Sequence, residues 1–218
     1  MLVITEKIPA ANEWQGERGT GAHYGGDLPA TAAHAYLHLL REQLNTEGWD
    51  FAPDVTKILI LTHNAIAAEQ GYEGIAAVFQ GRSESYIQKE DSHIAFFADV
   101  LEPVCLAYTE QRFGDMFVAM GTRTPLIQRH ADKQSWESDL RALMMLRHTG
   151  TVGEVTDHLR HTQRPRLPEA VERKERDLEN VTEESDADET ARLERLNALR
   201  AVPYSEVVAL TEFLDEKT

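Results

Sequence analysis

Cysteine is almost absent from this chain of 218 residues: Cys105 stands alone, so no internal disulfide can form, which agrees with a reducing compartment. Aromatic residues are scarce, at 7%. No apolar run approaches the roughly 18 residues that a membrane span needs. Met1 to Trp14 also lacks the basic start and apolar stretch of a secretory signal. The expectation is a cytoplasmic protein with no membrane partner. Basic charge is in short supply as well, with 22 Lys and Arg against 37 Asp and Glu and a net charge of −15. That balance argues against a free-standing nucleic-acid binder, because phosphate contacts are made mainly by Lys and Arg. What remains is ample for a core. An apolar content of 42% excludes wholesale disorder, and the length fits one domain or two small ones.

Several chemistries are missing by motif. A nucleotide-binding P-loop ends in Gly-Lys-Ser/Thr so that backbone amides and one ammonium converge on the phosphates, and no lysine of this chain follows a glycine. The glycines from Gly16 to Gly26 follow no strand pattern and read as a loop. No serine lies in a Gly-x-Ser-x-Gly turn. His158 and His161, with Asp157 beside them, share a helical spacing that could face one zinc or iron ion, but a third partner is lacking and surface histidines are the plainer reading. His34 and His38, one helical turn apart, are read the same way. Cys105 falls on an apolar helix face, where a buried, inert thiol is the default.

Periodicity supplies the elements. The first 28 residues are irregular, with a short strand expected around Ala22 to Tyr24. Tyr36, Leu37, Leu40 and Leu44 mark a helix ending near Gly48. Lys57 to Thr62 is a short apolar run rich in branched residues, the pattern of a strand buried on both faces of a parallel sheet. A helix from Ala65 to Phe79, interrupted at Gly71 and Gly74, follows it, with Asn64 as a candidate cap. From Ser92 onward only helices are predicted: one through Ile94, Phe97, Leu101, Val104, Cys105 and Tyr108, then Phe113 to Met120, then one through Trp136, Leu140 and Leu143. Thr151 to Thr162 comes next, where Thr151 and Glu154 form a capping-box pattern. Charged helices from Glu169 to Glu184 and Asp186 to Arg200 and a last helix from Tyr204 to Leu214 complete the chain. Residues 169–194 carry eleven acidic and four basic side chains, a solvated helical hairpin or an acidic interaction surface.

The most informative patch is Ile58-Leu59-Ile60-Leu61-Thr62-His63-Asn64-Ala65, continuing to Glu69-Gln70-Gly71-Tyr72. A buried strand ending in polar residues before a helix places Thr62, His63 and Asn64 at the edge of an α/β sheet where ligands bind; capping and strand closure explain the same residues equally well. This patch resembles the second motor domain of UvrD/Rep-type superfamily 1 DNA helicases. The resemblance continues through Ile94-Ala95-Phe96-Phe97, Leu101-Glu102-Pro103-Val104-Cys105, Thr149-Gly150-Thr151-Val152-Gly153-Glu154-Val155, Arg164-Pro165-Arg166-Leu167-Pro168 and Val202-Pro203-Tyr204-Ser205-Glu206-Val207-Val208.

The resemblance implies an α/β, mostly α fold: a partial RecA-like (P-loop NTPase) lobe with a small parallel sheet at about 1–80 and 203–218, and an all-helical insertion at about 81–202. It implies a piece of an ATP-dependent helicase, with ATP and Mg bound elsewhere in the intact protein and no catalytic residue here. Thr62, His63 and Asn64 would contact single-stranded DNA, although the family often has a basic residue where Asn64 stands. Single-stranded and duplex DNA would be the partners of the intact protein, and the insertion could recruit a protein. The alternative is a stand-alone helical interaction or regulatory module with an acidic hairpin.

Overall fold

A computed structural model describes residues 30–52, 55–56, 63–80, 82–121, 127, 129–180 and 187–215. The chain divides into two compact units, 1–71 and 72–218. In the first, α1 (Ala30–Thr46) packs on α2 (His63–Gln70), and the exposed Arg41 lies 3.9 Å from the partly buried Glu69. Gly71, at φ 84°, closes α2 in the left-handed region that glycine enters without steric cost.

The second unit is a bundle of short helices: α3 (Glu73–Val78), α4 (Glu84–Ile87), α5 (Ser92–Phe96), α6 (Glu102–Thr109), α7 (Phe113–Met120), α8 (His130–Thr149), α9 (Val152–Thr162), α10 (Glu169–Glu179), α11 (Ala187–Ala201) and α12 (Tyr204–Asp215). Between α5 and α6 the chain makes a π turn, Phe97–Leu101, in which the Glu102 amide donates to the Phe97 carbonyl five residues back. Pro103 accounts for the widening, since its ring has no N–H to give Asp99 and would clash with that carbonyl in a regular α turn.

The core runs through Tyr72, Ile75, Phe97, Leu101, Leu143, Val155, Leu199 and Leu210, all essentially inaccessible. Each such side chain contributes roughly 1.5–3 kcal/mol of burial. Tyr204, fully buried at the start of α12, takes Phe97 edge-on with ring centroids 5.5 Å apart. Thr151 and Glu154 form the expected capping box: the Glu154 amide donates to Thr151 Oγ1 at 3.3 Å and the Thr151 amide to Glu154 Oε2 at 2.8 Å.

The expected α/β, RecA-like architecture is overturned. Among the described residues there is no strand and no sheet; their one β-type pairing is an isolated antiparallel bridge between Thr151 and Pro203. A parallel sheet needs neighbouring strands to take up each other's backbone groups, and the sequence holds only one apolar run of the required kind. That run, residues 57–62, lies outside the described residues, as does the short strand expected at 22–24. Residues 73–78 and 204–215, assigned by resemblance to the motor lobe, are helices that pack on each other.

Candidate functional site

Thr62 lies outside the described residues, and His63 and Asn64 form the first turn of α2, where only their backbone is described. The strand-end edge expected to carry them has no described sheet behind it. Two other motif segments do meet. Val152 N–H donates to the Val202 carbonyl and Tyr204 N–H to the Gly150 carbonyl, each at 2.9 Å, joining the turn before α9 to the turn before α12. Gly153 permits this closeness, because a Cβ there would sit 3.0 Å from the Arg200 carbonyl oxygen.

The candidate ligands separate. His158 donates Nε2–H to the Asp139 carbonyl at 2.9 Å, His161 is exposed, and Asp157 accepts from Arg200 Nη2 at 2.7 Å. Among the described residues no group of three or more His, Cys, Asp or Glu could hold a metal ion. His38 is exposed, 3.6 Å from Glu42. Cys105 is buried, and burial pushes its thiol up to about 12, which makes it a poor nucleophile.

Buried charge gathers in two clusters that periodicity did not reveal. In the first, Arg147 grips Glu102 from Nε and Nη2 at 2.9 and 2.7 Å, and Glu102 is only 6% exposed. The π turn directs Glu102 inward, and a cleft of about 260 Å³ bounded by α7 and α12 opens over the pair. Burial opposes the Arg147 charge, and the Glu102 carboxylate outweighs it, so the guanidinium is held above its ordinary value.

The second cluster joins α5, α9, α10 and α11. His93 Nε2 lies 2.8 Å from Glu175 Oε1, with both side chains at most 1% exposed. Arg200 donates Nη1–H to Glu175 and Nη2–H to Asp157. Asp91 caps α5, accepting from the His93 amide at 2.9 Å and from Lys174 Nζ at 2.7 Å. Burial alone would raise the Asp91 pKa, but Lys174 and the His93 amide hold it below the usual carboxylate value. These cations are committed to carboxylates, so the clusters brace helices and do not fit a triphosphate with its metal; no step through ATP or Mg is assigned to them. One sequence signal does point to Glu175: it stands one helical turn after the fully buried Val171, on the same face of α10.

A third feature is apolar. A cavity of about 570 Å³ opens between α7 and the first half of α8, walled by Tyr108, Phe113, Met116, Phe117 and Trp136, with Lys133 and Glu137 at its edge. Phe117 meets Trp136 edge-to-face at 5.9 Å, and Phe113 meets Tyr108 likewise at 6.4 Å. Phe113 and Phe117 remain 51% and 39% exposed. The Arg164 guanidinium lies 5.3 Å from the Trp136 ring centroid. Comparison with protein-family models, curated proteins and solved structures returns no match for the chain.

Proposed function

We propose that this chain is a non-catalytic piece of a superfamily 1 DNA helicase, one that contributes the helical insertion and contacts to single-stranded DNA. The motor chemistry is supplied by residues outside these 218, and the intact protein acts in the cytoplasm on single-stranded and duplex DNA. The observation that carries the reading is the topology of the helical unit. Its first helix, α3, packs on its last, α12; Glu206 of α12 accepts from the Ile75 amide at 3.1 Å across 131 residues, and Tyr72 lies against Phe213 with centroids 5.5 Å apart. A body whose chain arrives and leaves at one place can be inserted into another domain without distorting it, which is what a helicase insertion requires. The resemblance from Lys57 to Tyr72 leads into that body, and its last stretch, Val202 to Val208, runs into the body's final helix.

The rival reading, a free-standing acidic interaction module, draws on the charge of residues 169–194. One of that segment's carboxylates is not on the surface at all: Glu175 is buried against His93 and Arg200. Two measurements separate the readings. Coding DNA on both sides should continue in frame into a Gly-x-x-x-x-Gly-Lys-Thr motif upstream and an arginine-bearing motif downstream. The purified chain should hydrolyse no ATP, and hydrolysis abolished by a substitution within it would refute the proposal.

A further inference from the structure

We propose that the face formed by α7 and the first half of α8 is an interface between two copies of this chain, packed about a two-fold axis. The inference does not rest on the helicase reading, since the face belongs wholly to the helical unit and involves none of Thr62, His63 and Asn64.

The first support is that α7 is too apolar for the cover it has. Six of its eight residues are apolar, and of these Met116 and Met120 alone are buried. A helix that is apolar around most of its circumference is found buried, because no polar stripe remains to face water. Here Phe113 and Phe117 are partly exposed and Val118 is 80% exposed. Among the described residues of the helical unit, the large apolar side chains that are exposed all stand on three consecutive helices: Leu106 on α6, Phe113, Phe117 and Val118 on α7, and Met145 on α8. Apolar area gathered in this way marks an association surface. From their exposed fractions, the three α7 side chains present on the order of 300 Å² of apolar surface, which with a polar rim makes a small interface, below the roughly 800 Å² per partner of a standard one. The association is therefore reversible.

The second support, which selects the occupant, is charge. The chain carries −15, yet residues 102–149, which span α6, α7 and α8, hold six Lys and Arg and six Asp and Glu, so the whole negative excess lies elsewhere. A strongly acidic or strongly basic partner finds no net charge here to select it. A second copy needs none. Two chains of −15 repel through the rest of their surfaces, and a face with balanced charge lets them approach within a Debye length, about 10 Å, without that cost.

Symmetry adds a further requirement. Across a two-fold axis residue i meets j and j meets i, so the patch must carry both signs at matching places. Lys133 and Glu137, at the edge of the cavity of about 570 Å³, stand one helical turn apart on α8 with opposite charge. With the two α8 helices antiparallel, Lys133 of each copy meets Glu137 of the other, and Val118 of each enters the cavity walled by Phe113, Phe117 and Trp136 of the other. The contact of Glu137 with Arg141 at 2.6 Å joins side chains 61% and 75% exposed, so it is weak and does not compete.

The test is sedimentation velocity of the full chain between about 1 and 200 μM at about 150 mM salt. The mass should rise from 24.6 kDa toward twice that value, with a dissociation constant on the order of 10 μM. Val118→Lys should weaken association about tenfold or more, since it places a charge in the apolar centre. Lys133→Glu and Glu137→Lys each set like charges opposite one another and should each weaken it about fivefold or more. Mixed in equal amounts, these two variants regain opposite charges at both contacts and should form a heterodimer of native affinity. All three side chains are exposed, and an unchanged far-ultraviolet circular dichroism spectrum verifies that each variant is folded. A chain that stays monomeric at about 200 μM, association indifferent to Val118→Lys, or charge variants that fail to recover on mixing would each overturn the inference. So would saturable capture of an amphipathic helical peptide by a chain that remains monomeric.

Discussion

Replacing Arg147 by Met should cost the helical unit roughly 3–5 kcal/mol, the penalty for stranding one partner of a buried ion pair. Glu102 has three N–H···O contacts to Arg147 between 2.7 and 3.2 Å and is 6% exposed. The π turn directs the carboxylate inward onto Arg147, at the floor of the cleft that both residues line. With no cation, the site must hold an unpaired charge, take up a proton, or unwind the turn. Removing both charges is different: Glu102→Leu with Arg147→Met exchanges the pair for apolar contacts and should lie within about 1 kcal/mol of the native chain. Urea unfolding at neutral pH, followed by far-ultraviolet circular dichroism, measures both. Thermal unfolding of the single variant should begin roughly 10 °C lower, at about 2–4 °C per kcal/mol for a unit of this size. A loss below about 1 kcal/mol in the single variant, or a double variant no more stable than the single one, would refute the account of Glu102 as a buried charge that depends on Arg147.

Three further outcomes follow from the packing. Gly153→Ala should destabilise by about 1–3 kcal/mol, since its Cβ would press on the Arg200 backbone at 3.0 Å, whereas Gly114→Ala, with open space at its Cβ, should not; paired denaturation curves decide it. Asp91→Asn keeps the cap on α5 but removes the charge. The folded-state value of Asp91 lies below its ordinary 3.8, so its stabilisation is present above that pH and is lost as pH falls through the lower folded value; the native chain should lose more stability than the variant on acidification through about pH 4, and parallel curves would contradict this. Cys105, its thiol pushed up to about 12 by burial, should resist a disulfide reagent at mildly alkaline pH until denaturant is added; stoichiometric labelling of the folded chain would show the thiol to be reachable.

The helices were legible because each carries its own signal. Phe113 to Met120 is an apolar cluster between turns and is observed with those bounds, and Thr151 with Glu154 announces the start of α9 by spacing alone. Gly71 divides α2 from α3, as the pattern predicts, whereas the second break expected at Gly74 is absent, that residue lying inside α3. The sheet expectation failed where a run of branched residues was given partners that only other strands could supply. The buried charges were hidden for a related reason. Glu102 and Arg147 are 45 residues apart, and His93 and Glu175 are 82 apart, so nothing local names the partner of either carboxylate, even where Val171 marks the inward face that Glu175 shares. The π turn was hidden too, although Pro103 three residues past Val100 was its visible cause. The site expected at Thr62, His63 and Asn64 rested on a strand that is not among the described residues, while the aromatic groove depends on α7 and α8 being brought together by α6.

Charge arithmetic on the whole chain therefore misleads about its surface. A net charge of −15 suggests repulsion of any polyanion, yet the relevant distance is the Debye length, about 10 Å in dilute salt, within which only nearby groups are felt. Eleven carboxylates fall in residues 169–194, and of these Glu175 is buried against His93 and Arg200, while Asp177 and Glu179 meet Arg192 and Arg160. Carboxylates of that segment are thus partly spent in the chain's own ion pairs, so a count of acidic residues overstates the net charge that α10 presents within a Debye length of its surface.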